Sequence, residues 1–324
     1  MRSPLENESI SDNDTHVRKV GSDFAKMRKP HLQKIQPLID HAKQVSTLPV
    51  VYDITRLHHP YFNEFTYTEF LGCLYISPQS VEVAARLTQK AFEDTNLYEF
   101  DIVGKIFERN KEEKTLDKYN LKLEEDTLNP KKVVFIPGDN VFKTIISREI
   151  LTTVMMTHED CLIKPHPMST GDLLRTLGRE FGYRRIIEPL ASGWKCLQDA
   201  EEVYCSTATE MGIYAALLEK PIHNIGNYLL EARGAYTPFY RLMWNKSIPD
   251  TRATVEKILN SPLSGVFHHD DPLAKEKIET FFKAAMEIRS YMKPLTHEIG
   301  LTEWADLQQS KLVPQTVSQP PQKG

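Results

Sequence analysis

The stretch that decides the fold is Val133-Val134-Phe135-Ile136-Pro137-Gly138-Asp139-Asn140. Four β-branched or aromatic residues in a row favour an extended strand buried on both faces, and Pro-Gly stops it. The same punctuation recurs downstream. Asp160-Cys161-Leu162-Ile163-Lys164 halts at Pro165 and Pro167, Arg185-Ile186-Ile187-Glu188 at Pro189, and Glu202–Cys205 at Ser206; Pro221–Ile225 is a fifth run. Between them the spacing predicts helices over Thr144–Thr157, Thr170–Phe181 with Gly182 as its C-cap, Gly193–Asp199 and Thr209–Glu219. Short strands alternating with helices predict an α/β fold, with a parallel sheet covered on both faces.

Outward from this block the pattern weakens. Leu48–Ile54 and Leu74–Ile76 read as strands and Pro78–Phe92 as a helix. Tyr61, Phe62, Phe65, Tyr67 and Phe70 form an aromatic cluster with no assigned element. The segment Val20–Val45 has helical spacing in parts, with Ile35, Leu38, Ile39 and Ala42 on one side. Its Lys26, Arg28, Lys29 and Lys34 read either as a solvated face or as a phosphate- or acceptor-contacting patch. Phe107–Lys132 is highly charged and reads as a linker or exposed helix. Thr251–Met292 is mostly helical, with Ile278, Phe281, Phe282, Ala285 and Ile288 as one apolar stripe.

The expected organisation follows. Residues 1–17 are disordered, 18–130 form an N-terminal acceptor-side domain and linker, and 131–245 a Rossmann-like domain. Residues 246–312 are C-terminal helices, and 313–324 a disordered Pro/Gln-rich tail.

Hydrophobic residues make up 40% of the 324, enough for a real core. A net charge of -4 argues against a globally basic nucleic-acid or membrane-surface binder, though not against a local basic groove. Cys73, Cys161, Cys196 and Cys205 show no C-x-x-C pair and no zinc spacing, which implies a reducing compartment. The N-terminus lacks an apolar signal region, and no run reaches the roughly 18 apolar residues of a membrane span. The expectation is a cytoplasmic protein of a bacterium or a phage-infected host.

In an open parallel sheet, ligands bind beyond the carboxyl ends of the strands. The residues there are Gly138, Asp139 and Asn140; Lys164, His166 and Pro167; Pro189 to Trp194; and Ser206, Thr207, Thr209 and Glu210. Two prolines stiffen the Lys164–Pro167 loop, so His166 can be aimed at a phosphate oxygen while Lys164 adds positive charge. Hydroxyls and amides before a helix make an anion site or a set of caps, and Glu210 can accept ribose hydroxyls or simply favour the helix dipole.

The run Ser206-Thr207-Ala208-Thr209-Glu210-Met211-Gly212-Ile213-Tyr214-Ala215-Ala216-Leu217-Leu218-Glu219-Lys220-Pro221-Ile222 resembles the signature of the capsule-polysaccharide glycosyltransferases. These include Kdo transferases of capsule export, polysialyltransferases and polyglycerol-phosphate transferases. Their upstream His-Pro motif is matched by His166-Pro167. The resemblance covers about 133–226 and implies a GT-B-like architecture, with two Rossmann-like domains facing a cleft and here a reduced or irregular first one. It implies that both motifs bind the nucleotide of a sugar donor. The run departs from the family by about two extra residues, by Tyr214 at an acidic position and by Glu219 in place of glycine.

The expected activity is transfer of a sugar from a nucleotide-activated donor to an acceptor hydroxyl, with no cofactor beyond the donor. The candidate bases are Asp53, His58, His59 and Asp139. No D-x-D motif stands where metal-dependent sugar transfer needs one. Asp270-Asp271 beside His268-His269 reads as an ordinary helix-start signal, so no metal is expected. The acceptor is a glycan or a lipid-linked molecule. One alternative is hydroxymethylated DNA, as for phage glycosyltransferases, with the aromatics from Tyr61 to Phe70 receiving a flipped base. Another is a non-catalytic nucleotide-binding module.

Overall fold

The computed structural model describes residues 32–52, 63–111, 130–227, 234–244 and 246–291. The expected disorder of 1–17 and 313–324 lies outside them.

The first layer forms from local signals. Helix α1 (32–45) precedes strand β1 (Val50–Tyr52), then β2 (Phe65–Phe70) and β3 (Cys73–Pro78). The aromatic cluster of the sequence thus ends in a strand that periodicity did not reveal. A two-residue turn joins β2 to β3, with Leu71 and Gly72 both at positive φ. This is the geometry that suits the twist of a hairpin. Leu71 is fully buried, and its packing offsets the steric cost of that left-handed conformation. Helix α2 (Val81–Glu93) and α3 (Ile102–Lys111) follow.

The second layer is the predicted block: β4 (Lys132–Ile136), α4 (Asp139–Ile145), α5 (Arg148–Thr157), β5 (Cys161–Pro165), α6 (Gly171–Phe181), α7 (Gly193–Asp199), β6 (Glu202–Cys205), α8 (Met211–Leu217) and β7 (Ile222–Asn224). Its strands are all parallel, in the order β5-β4-β6-β7. Three expectations change. The helix predicted over Thr144–Thr157 is two, because Ser147 caps a new start by accepting from the Ile150 amide. The third strand shrinks to one parallel bridge, Ile163 to Ile186, since a 3-10 turn occupies Tyr183–Arg185. The last helix begins at Met211, after a turn.

Alternate residues of β4 serve opposite faces, as a strand's period of two requires. Val134 and Ile136 meet Leu151, Met155, Leu174 and Leu177 of α5 and α6. Val133 and Phe135 join a cluster with Trp194, Leu197 and Ile213 of α7 and α8. Helices on both faces explain why the strands are apolar throughout rather than alternating.

The chain then runs through α9 (Thr237–Met243) and α10 (Ile248–Asn260) to β8 (Val266–Phe267) and α11 (274–291). The C-terminal part does more than add helices. Strand β8 pairs with β3 and completes a mixed sheet, β1-β2-β3-β8, in which only β1 and β2 are parallel. Gly265 makes that return possible. It sits at φ +76, and a Cβ there would lie 2.1 Å from the Ile76 carbonyl oxygen. The stripe of α11 packs with Ile35, Leu38 and Ile39 of α1 and with Phe65, Leu74 and Ile76 of the sheet.

One apolar cluster spans both sheets. Phe70 and Tyr75 of the β2–β3 hairpin stack on Tyr236, at 5.1 and 5.7 Å, in the same cluster as Val133, Phe135 and Val203. No helix of the described residues is long and apolar enough to cross a membrane.

Candidate functional site

With the Ile186 bridge counted as a strand, the second sheet reads third-second-first-fourth-fifth. The order therefore reverses between β4 and β6. At such a point the loops leaving the two strands diverge to opposite faces and open a crevice at their carboxyl ends. The loops that carry Gly138 and Ser206 leave the two strands flanking this point, and the loop that carries His166 leaves the neighbouring β5.

Gly138 precedes α4, and a Cβ built on it would meet nothing within 4 Å. The floor in front of it is open. Asn140 holds the second position of α4. Asp139 accepts from the Thr170 amide at 3.0 Å and also from its hydroxyl. Thr170 in turn caps α6, accepting from the Leu173 amide. Asp139 therefore joins the starts of α4 and α6. Each of its oxygens accepts from Thr170, so the carboxylate clamps the two loops together.

Lys164 departs furthest from its expected role. Its register partner is Phe135, which turns it toward the apolar cluster under α7. The side chain is buried, and Nζ donates to the Pro165 and Pro189 carbonyl oxygens at 2.9 and 2.8 Å. Burial pushes the ammonium down to about 8. The charge holds two loops together from below; it does not reach out to a phosphate.

His166 and Pro167 are half-buried. The His166 carbonyl accepts from the Ser169 amide at 2.9 Å, closing a tight turn. Nδ1 accepts from the Met168 amide at 3.1 Å, so the neutral ring carries its proton on Nε2. The buried Ser169 hydroxyl has no hydrogen-bond partner among the described residues.

The Ser206–Glu210 loop is drawn inward. Ser206, Thr207 and Glu210 are buried, whereas Ala208 and Thr209 are half-buried. Ser206 Oγ accepts from the Ala208 amide at 3.4 Å, and Thr209 Oγ1 from the Met211 amide at 3.3 Å. Thr207 Oγ1 accepts from Thr237 at 2.9 Å, and its carbonyl from the Tyr236 amide at 3.1 Å. Gly234 lies so close that a Cβ would be 2.3 Å from Thr207 Oγ1. The expected side-chain ligands Ser206 and Thr207 thus brace the loop; the Ala208 and Thr209 amides donate back to Ser206, at Oγ and at the carbonyl, and the Thr209 carbonyl accepts from the Tyr240 hydroxyl at 2.8 Å. Glu210 likewise sits inside, at the start of α8.

Asp53, His58 and His59, with Tyr61 and Phe62, lie outside the described residues. Phe65 and Phe70 are fully buried in two different clusters. That corrects the expectation that they could receive a flipped base. Sequence reasoning missed Thr170 as the partner of Asp139, and missed the Gly234–Thr237 segment altogether. A threonine at a helix start was visible; its partner 31 positions away was not. A cavity of about 180 Å³, lined among others by Lys220, His223, Trp244 and Lys246, opens beside the start of β7, away from this crevice. No protein-family model matches the sequence, and neither curated proteins nor solved structures give a significant match.

Proposed function

We propose that this chain is a glycosyltransferase that takes its sugar from a nucleotide-activated donor. The observation that carries the reading is the reversal of strand order between β4 and β6, with open space in front of Gly138. The likeness of the 206–222 run and of His166-Pro167 to the capsule-polysaccharide glycosyltransferases supports it from the sequence side. In this reading the donor's phosphates lie over Gly138, beside the half-buried Ala208 and Thr209. His166 donates to a phosphate oxygen through Nε2–H. Asp139, Lys164 and Thr207 act one step back, holding the three loops in register.

The first sheet is the acceptor side of a GT-B-like pair, and Asp53, His58 and His59 supply the base that takes the proton of the acceptor hydroxyl. Phe65 and Phe70 belong to the core and are closed to a flipped base, which favours a glycan as the acceptor.

Thermal shift with UDP-, CMP-, CDP- and GDP-linked sugars tests the class and names the donor. One of them should raise the melting temperature in a concentration-dependent way. His166→Ala should then weaken that nucleotide by about 1–3 kcal/mol in calorimetry, the cost of one charge-assisted hydrogen bond. A flat response to every donor would sink the proposal, and unchanged affinity in the variant would remove His166 from the site.

A further inference from the structure

Strand β8 ends at Phe267, and the next residues turn the chain into α11. His268 is 5% exposed; its ring packs on Phe100 at 5.6 Å and stacks on His269 at 4.4 Å. Asp271 is committed to the fold: Oδ1 accepts from the Leu273 amide, and Oδ2 pairs with Lys277. Asp270 instead points outward, its side chain 56% exposed, with its carboxylate flanked by both imidazoles. One oxygen is 3.4 Å from His269 Nε2 and the other 3.9 Å from His268 Nδ1. One ligand atom from each of the three residues falls within 4.8 Å of the others.

We infer that His268, His269 and Asp270 form a binding site for a divalent transition-metal ion of the zinc class. The spacing is the first reason. Ligands at about 2.0–2.1 Å around a tetrahedral ion are roughly 3.3 Å apart, so the His269–Asp270 edge already fits and the His268 edge closes by a small rotation of an exposed carboxylate. Protonation is the second. Nδ1 of His268 accepts from the Asp270 amide at 3.1 Å, so its lone pair, not a proton, faces this turn. The ion takes over that lone pair at the expense of one peptide hydrogen bond.

The donor chemistry selects the ion. Two imidazoles and one carboxylate suit zinc, nickel or copper, whereas magnesium and calcium require oxygen. Three protein ligands leave at least one position to water, so the site is open and exchangeable rather than a closed structural knot. It lies at the end of the two-residue β8, so a bound ion also steadies the edge of the first sheet.

Isothermal titration of the full chain with zinc chloride, with magnesium chloride as the control, tests this. Zinc should bind once, at micromolar or tighter dissociation constant, and raise the melting temperature; magnesium should do neither. His269→Gln and Asp270→Asn, both outside the core, should each weaken zinc at least tenfold while leaving the circular dichroism spectrum unchanged. Cobalt(II) should give visible bands that both variants lose. Absence of zinc binding, or binding that both variants retain in full, overturns the site.

Discussion

Lys164 shows what one buried charge does to pH dependence. Its folded value of about 8 lies below the ordinary 10.5. Below pH 8 the ammonium is charged in both states, and its burial penalty is fully present. Between about 8 and 10.5 the unfolded chain holds a proton that the folded chain has lost, so stability rises with pH in that window. One proton corresponds to at most ~1.4 kcal/mol per pH unit. Lys164→Met should remove this rise. Urea unfolding of both proteins from pH 7 to 10.5 measures it, and parallel curves would mean that Lys164 does not titrate there. Residue type and position after a strand made Lys164 a candidate ligand. Its direction was illegible, because the face a strand residue takes depends on what covers the sheet.

Among the elements, the strands of the second sheet were the most legible. Val133–Ile136 and Val203–Cys205 carry their own signal, since short apolar runs bounded by turn formers have few other uses. The first sheet was less so. Strand β2 mixes Phe65, Tyr67 and Phe70 with Thr66, Thr68 and Glu69. Strand β8 has two residues, too few for any periodicity. Its existence depends on Gly265 turning beneath Ile76, whose amide donates to the Gly265 carbonyl at 2.8 Å. Gly265→Ala forces a Cβ against the Ile76 carbonyl at positive φ and should cost about 2 kcal/mol or more. Chemical denaturation checks this, and a loss under ~0.5 kcal/mol would show that the turn can relax.

At the scale of the whole molecule, the two sheets share one apolar cluster through the stack of Phe70, Tyr75 and Tyr236. The same Tyr236 donates its amide to Thr207, in the crevice loop. The first sheet and the candidate site are therefore joined by one side chain and one peptide. Tyr236→Ala should cost about 3–5 kcal/mol, as for other large aromatics removed from cores. It should also lower the ratio of van't Hoff to calorimetric enthalpy, because the sheets would then melt less cooperatively. Calorimetry that keeps the ratio of the wild type would place the coupling elsewhere.

By itself the sequence determined that Val133–Ile136 is a buried parallel strand, and that Gly138, His166 and Ser206 stand just after strands. Those are local facts, written in short apolar runs and the Pro, Gly and Ser that end them. Tertiary structure alone decided the rest. It recruited β8 across about 190 positions to pair antiparallel with β3, Phe267 against Leu74 and Val266 against Tyr75. It also turned Lys164, Ser206 and Thr207 inward. The reason is the same in each case: a polar side chain satisfies its hydrogen bonds wherever the packed chain offers a partner, and Pro189 and Thr237 become neighbours only once the sheet has closed.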